Sequence, residues 1–135
     1  MILFATSAWV EHLRVSASVT DLEVRRIMLH ERDELVMCAP VAMQLLAGAG
    51  RPIQLAAVEA LLASLPWLSL DPVEDFRSAG ALQRAARRSG RTVRSLVDCL
   101  IAAVALRHDA ELVHQDVDFV LLAEVSPLRH RSLLG

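Results

Sequence analysis

Asp98, Asp116 and Asp118 are the residues of this 135-residue chain whose type and spacing could do chemistry. Asp98 lies in the first turns of a stretch, Arg94 to His108, that is otherwise almost wholly apolar, and Asp116 and Asp118 follow the short apolar run Glu111 to His114. An apolar helix leading directly into a short apolar strand is the pattern of an αβ unit in a parallel sheet. In open α/β sheets, sites form outside the carboxyl ends of the strands, where Asp116 and Asp118 would stand. A helix packed back on the sheet would bring Asp98 to the same edge. Carboxylates gathered in this way repel one another unless a divalent cation sits among them, and ligation by oxygen alone favours Mg2+ or Mn2+. The same residues also have plainer readings. Ser95-x-x-Asp98 fits a helix cap and Asp116-x-Asp118 fits a turn closed by its own side-chain hydrogen bonds. On these residues alone both readings stand.

The rest of the chain supplies the scaffold. Ile2-Leu3-Phe4 reads as a strand apolar on both faces, suited to the centre of a parallel sheet, with a helix beginning near Ala8. Asp21 to Arg32 reads as a charged amphipathic helix with Leu22, Val24, Ile27 and Met28 apolar, and Leu35 to Cys38 as a second strand. Pro40 opens a helix to Ala47, as proline favours the first turn, and within it Gln44 is the one polar residue among apolar neighbours. Ile53 to Ser64 is a further helix, and Trp67 to Leu70 a third strand. Asp71-Pro72-Val73-Glu74 is a strong helix start, and that helix should carry Phe76, Ala79, Leu82 and Ala86 inward. After Asp118 come a helix to Glu124 and a tail, Pro127 to Gly135, able to add an edge strand. The alternation predicts one domain over 1–135, a three-layer α/β/α sandwich with a mainly parallel sheet of four to five strands.

Composition narrows the function. Residues of hydrophobic type make up 54% and the mean hydropathy is +0.40, yet the longest uncharged run, Leu35 to Gly50, is broken by Pro40 and too short to span a bilayer. No secretory leader is visible at Met1 to Ala5, so the expectation is a cytoplasmic protein with no membrane partner. Cys38 and Cys99 lie in apolar surroundings without ligand spacing, and the five histidines form no pair at helical spacing, which argues against zinc. A doubly wound nucleotide binder is disfavoured, because no GxGxxG follows Phe4 and no P-loop occurs. All 14 basic residues are Arg, a residue that grips phosphate bidentately, although the net charge is -2.

Taken together, these stretches resemble the PIN-domain proteins, and more specifically the toxin ribonucleases of bacterial VapBC toxin–antitoxin pairs. Ile2 to Arg14 lies over the family's opening, where the first strand ends in Asp-Thr-Ser. Pro40 to Gly48 lies over a helix that carries a Glu. Ser95 to Ala103 and His114-Gln115-Asp116-Val117-Asp118-Phe119 match the third and fourth acidic motifs. The resemblance covers essentially the whole chain. It implies the PIN sandwich, Mg2+- or Mn2+-dependent cleavage of an RNA phosphodiester, a VapB-like antitoxin as partner, and a homodimer, with Trp9 and Trp67 either in the core or at its interface.

Two departures stand inside the matching motifs. Ala5 occupies the place of the strand-ending Asp, and Gln44 that of the helix Glu, each with its flanking residues intact: Thr6-Ser7 after the first, Leu45-Leu46 after the second. This pattern reads as loss of activity, by design or by nature. On the resemblance, Asp98 and Asp116 are metal ligands and Asp118 a ligand or a water-bridged neighbour, while Gln44 offers at best a neutral carbonyl oxygen. Thr6 or Ser7 would support the cage or cap the following helix. Arg84, Arg87, Arg88, Arg91 and Arg94 crowd one helix end and its exit loop, either as a phosphate-tracking rim for RNA or as a solvated face complementing the helix dipole. The expectation is a folded chain that cleaves RNA weakly, or an inactive PIN protein that binds antitoxin or RNA.

Overall fold

The computed structural model describes residues 1–134; Gly135, the end of the expected domain and tail, lies outside the described residues. Among the described residues, four strands form one parallel sheet: β1 (Ile2–Phe4), β2 (Leu35–Val36), β3 (Glu111–His114) and β4 (His130–Ser132), in the order β2-β1-β3-β4. Seven α-helices accompany it: α1 (Thr6–Leu13), α2 (Val19–His30), α3 (Ala39–Gly48), α4 (Pro52–Ser64), α5 (Glu74–Arg88), α6 (Leu96–His108) and α7 (Val117–Glu124). Helices cover both faces of the sheet, as parallel strands require, and β1 and β3 are buried accordingly. The architecture is the expected α/β/α sandwich. No helix among the described residues is long and apolar enough to cross a membrane.

The order of the strands places the site. From β1 the chain crosses to β2 on one side, and from β3 it crosses to β4 on the other, so β1 and β3 flank a topological switch point. In open α/β sheets such a point, at the carboxyl ends of the strands, is where sites form. The register Phe4↔Val113 sets Ala5 and Thr6 beside the β3 exit, and the Ala5 N–H donates to the Val113 carbonyl at 2.9 Å.

Helix α6 brings its own carboxylate to that edge. Its residues 98–105 are all buried, and Ala102, Ala103 and Ala105 let it lie close to its neighbours. It ends at Asp109 in a left-handed conformation with φ 53°, a C-terminal stop that aspartate tolerates. The chain reverses into β3 two residues later, so the amino end of α6 returns to the carboxyl end of β3. The α5–α6 pairing is fastened by Arg107, whose Nε and Nη2 donate to the buried Asp75 carboxylate at 2.8 and 3.0 Å.

Several expectations change. Trp67 to Leu70 forms no strand; it contributes one bridge, Met37↔Trp67, beyond β2. Leu65 and Leu68 are buried while Trp67 and Ser69 face outward, and Pro66 can supply only a carbonyl, which accepts from the Met37 N–H. Phe76 does not point inward and is 54% exposed, since the core-facing stripe of α5 runs through Asp75, Ala79, Leu82 and Ala86. Leu22 is likewise exposed. Trp9 is fully buried, edge-on to Phe4 at 4.9 Å between centroids, which removes it from any interface; Trp67 is 47% exposed. Helix α3 is not buried throughout, because Met43 and Leu46 face outward. Cys38 and Cys99 are buried free thiols, as expected, and burial pushes both up to about 11.

Candidate metal centre

Asp98, Asp116 and Asp118 meet. One carboxylate oxygen from each lies within 4.8 Å of the others at the carboxyl edge of β3. Each is placed by local chemistry that the sequence dictates. Ser95 caps α6, its Oγ accepting from the Asp98 N–H at 3.3 Å, so Asp98 stands in the first turn facing the sheet edge. Asp116 caps α7, its Oδ1 accepting from the Asp118 N–H at 2.9 Å, which leaves its second oxygen free. The plain readings of both motifs therefore hold, and the same caps assemble the acidic cluster.

The loop between β3 and α7 is held amide by amide. The Gln115 N–H donates to Ser7 Oγ at 3.2 Å, and the Asp116 N–H donates to His114 Nδ1 at 3.1 Å. Ser7 thus fastens the loop to α1 and caps nothing: residue 5 is the α1 N-cap and supplies no side-chain hydrogen bond. His114 is wholly buried, and burial followed by the nearby His130 lowers it to about 4. Gln115 in turn accepts from the Thr20 hydroxyl at 2.5 Å, tying α2 to the same loop. The role of His114 carried no sequence signal, since its partner His130 is brought beside it only by the pairing of β3 with β4.

The electrostatics are those of a site short of positive charge. Asp98 and Asp118 are 8% and 3% exposed. Burial, the charge of Asp116 and a hydrogen bond shared with Asp118 push the Asp98 carboxyl up to about 7. Asp118 Oδ1 is buried and has no hydrogen-bond donor. An acceptor left bare beside two further carboxylates fits a hard divalent cation, and Asp98, Asp116 and Asp118 are the residues able to hold one.

The β1 side of the switch point differs. Ala5 is buried and offers only a methyl group. The Gln44 Oε1 atom accepts a hydrogen bond from the Thr6 hydroxyl, so the carbonyl that could have faced a cation is engaged by its neighbour. Arg84, Arg87, Arg88, Arg91 and Arg94 are all exposed. Arg91 pairs with Glu124 at 3.4 Å, whereas Arg84, Arg87, Arg88 and Arg94 make no ion pair among the described residues. Arg94 precedes the Ser95 cap, Arg87 and Arg88 occupy the last turn of α5, and Arg84 lies further back, lining a shallow groove with Glu74 and Arg77.

The chain matches the PIN domain family over residues 2–125. It is 47% identical over 132 residues to VapC ribonuclease Mb1587 of Mycobacterium bovis and to Ribonuclease VapC11 of Mycobacterium tuberculosis, covering 98% of each and 98% of itself. Its fold is similar to that of DNA-bound VapBC from Salmonella typhimurium, with a TM-score of 0.78, 17% identity and 98% of both chains covered. It is also similar to VapBC-5 from Mycobacterium tuberculosis, with a TM-score of 0.66, 22% identity and the same coverage.

A raised Asp98 contributes stability that is fully present below about pH 4, its unfolded value, and that is lost as pH rises through about 7. The lowered His114 acts with the opposite sign, its contribution being lost as pH falls from about 6.5 toward about 4. Urea denaturation of metal-free protein between pH 5 and 8 should show wild type losing stability relative to Asp98→Asn as pH rises, a difference in which the His114 contribution cancels. A flat difference would contradict this electrostatic picture.

Proposed function

As this chain belongs to the PIN-domain family and, within it, to the VapC toxin ribonucleases, we propose that it is an endoribonuclease toxin with an impaired site. Asp98 and Asp116 hold one divalent cation, Mg2+ or Mn2+, and Asp118 holds it directly or through a water. The observation that carries this reading is the convergence of three carboxylates with a buried, donorless Asp118 oxygen at the β1/β3 switch point. Such a cation, when bound, acidifies a water and neutralises charge on a phosphate. The chain's own residues do the rest. Asp98 and Asp116 fix the position of positive charge, the Ser7 and His114 bonds hold the loop that carries Asp116, and the exposed arginines at positions 84, 87, 88, 91 and 94 attract the RNA backbone.

The impairment follows from Ala5 and from the Gln44–Thr6 bond. Two charges are missing from the cation's surroundings, a loss on the order of 3–5 kcal/mol for a partly desolvated ionic site. The same observation favours a second reading: a PIN protein that no longer cleaves and acts by binding antitoxin or RNA. The chain folds as one domain and works in the cytoplasm, beside a VapB-like antitoxin. The groove of about 320 Å³ between α1, α3 and α4, lined by Val10, Leu13, Leu45, Ala49 and Val58, suits an amphipathic antitoxin helix. The larger apolar hollow of about 660 Å³, with Pro40, Met43, Leu70, Phe76, Leu96 and Leu100, suits a second copy of the chain.

Restoring the charges in Ala5→Asp/Gln44→Glu should raise Mg2+-dependent RNA cleavage by about two orders of magnitude or more. A double revertant no more active than wild type would refute the site, and activity confined to the revertant would favour the binding reading. In a salt titration of RNA binding, Arg87→Glu/Arg88→Glu should flatten the log–log slope by about 0.7 per lost phosphate contact; an unchanged slope would leave these arginines as a solvated helix face. In sedimentation, wild type should be a dimer and Met43→Glu/Phe76→Glu a monomer that still co-purifies with the product of the neighbouring reading frame. Unaltered dimerisation would place the interface elsewhere.

A further inference from the structure

We propose that His114 and His130 form a tautomer-locked strut, and that His130, on the edge strand, is a positioning residue for Asp116. The inference rests on the reading of Asp116 as a cation ligand, but the strut itself is geometric. His114 ends β3 and points between α7 and β4, with its ring against Phe119 at 5.1 Å between centroids and against His130 at 5.2 Å. Its Nδ1 accepts from the Asp116 N–H at 3.1 Å. A backbone N–H can only donate, so Nδ1 carries no hydrogen, and a neutral ring must then carry its hydrogen on Nε2. That atom lies 3.0 Å from His130 Nδ1. His130 must therefore accept there and keep its own hydrogen on Nε2, so one tautomer specifies the next.

The chain of constraint runs from sheet edge to site. Residues 112 and 130 are register partners, which sets His130 on the same side of the sheet as His114, since side chains two apart along a strand share a face. The His130 acceptor fixes the tautomer and the plane of the His114 ring. The ring fixes the Asp116 amide, and the Asp116 carboxylate caps α7 through the Asp118 N–H. Two of the three clustered carboxylates thus depend on an imidazole pair that touches neither. Groups that orient ligands in this way commonly change metal affinity by 10–100-fold when removed.

Substituting position 130 separates the strut from bulk packing. His130→Asn keeps an acceptor oxygen near the position of Nδ1, whereas His130→Leu fills space without one. In the full chain without metal, long-range 1H–15N NMR of the imidazoles should find both His114 and His130 hydrogenated at Nε2. Exchange of the Asp116 amide should quicken by about tenfold or more in His130→Leu and remain near wild type in His130→Asn. The Ser7-bonded Gln115 amide should change little. Mn2+ titration should follow the same order, with affinity reduced about tenfold in the Leu variant and retained in the Asn variant. A His114 ring hydrogenated at Nδ1, or an Asn variant that behaves like the Leu variant, would overturn the strut. Absence of Mn2+ binding by wild type would overturn the cation reading instead, while the tautomers and amide exchange would still decide the strut.

Discussion

The mutual repulsion of Asp98, Asp116 and Asp118 is the interaction on which this structure turns. At separations within 4.8 Å and an effective dielectric near 20, each pair of full charges costs about 3 kcal/mol or more. A fold does not keep such a cluster by accident of local preference, since Asp116 could be a Ser or Asn and still cap α7, and Asp98 and Asp118 lend only their backbone N–H groups to the caps. In the metal-free form, burial and the neighbouring charges push the Asp98 carboxyl up to about 7, which eases the repulsion as pH falls below that value. A divalent cation would offset it more completely, and the buried Asp118 Oδ1, which has no hydrogen-bond donor among the described residues, fits that role.

The surrounding architecture reads as a response to this constraint. The cluster lies where β1 and β3 send the chain in opposite directions, and its loop is bonded to α1 through Ser7, to α2 through Gln115 and to β4 through the histidine pair. The cluster is also lopsided. On the β3 side every carboxylate is present and supported; on the β1 side Ala5 is a methyl group and Gln44 turns its oxygen to Thr6. A cation there would have anionic ligands on one flank only, which is the ground for the impairment proposed above.

Much of this was legible in the residues themselves. The unbroken apolar run of α6, its Ser95 cap and the abrupt passage into β3 sufficed to place three aspartates at one edge, because caps and strand alternation are local properties. The failures have two causes. Trp67 to Leu70 has strand composition, but Pro66 and the solvent-facing Trp67 leave it a single bridge. Phe76 looked like core, yet the stripe of α5 that faces inward passes through Asp75, which is buried only because Arg107, 32 residues away, reaches it. His114 and His130, 16 residues apart, become partners only through strand pairing. The last two depend on contacts distant in sequence, which neither periodicity nor composition encodes, whereas Pro66 is a local signal against a strand.

The most direct test of the central claim is anomalous diffraction from crystals soaked in Mn2+. One peak is expected about 2.1 Å from carboxylate oxygens of Asp98 and Asp116, with Asp118 bound to it directly or through a water. No peak in the crevice at saturating Mn2+, or a peak held only by exposed acidic residues elsewhere, would contradict it.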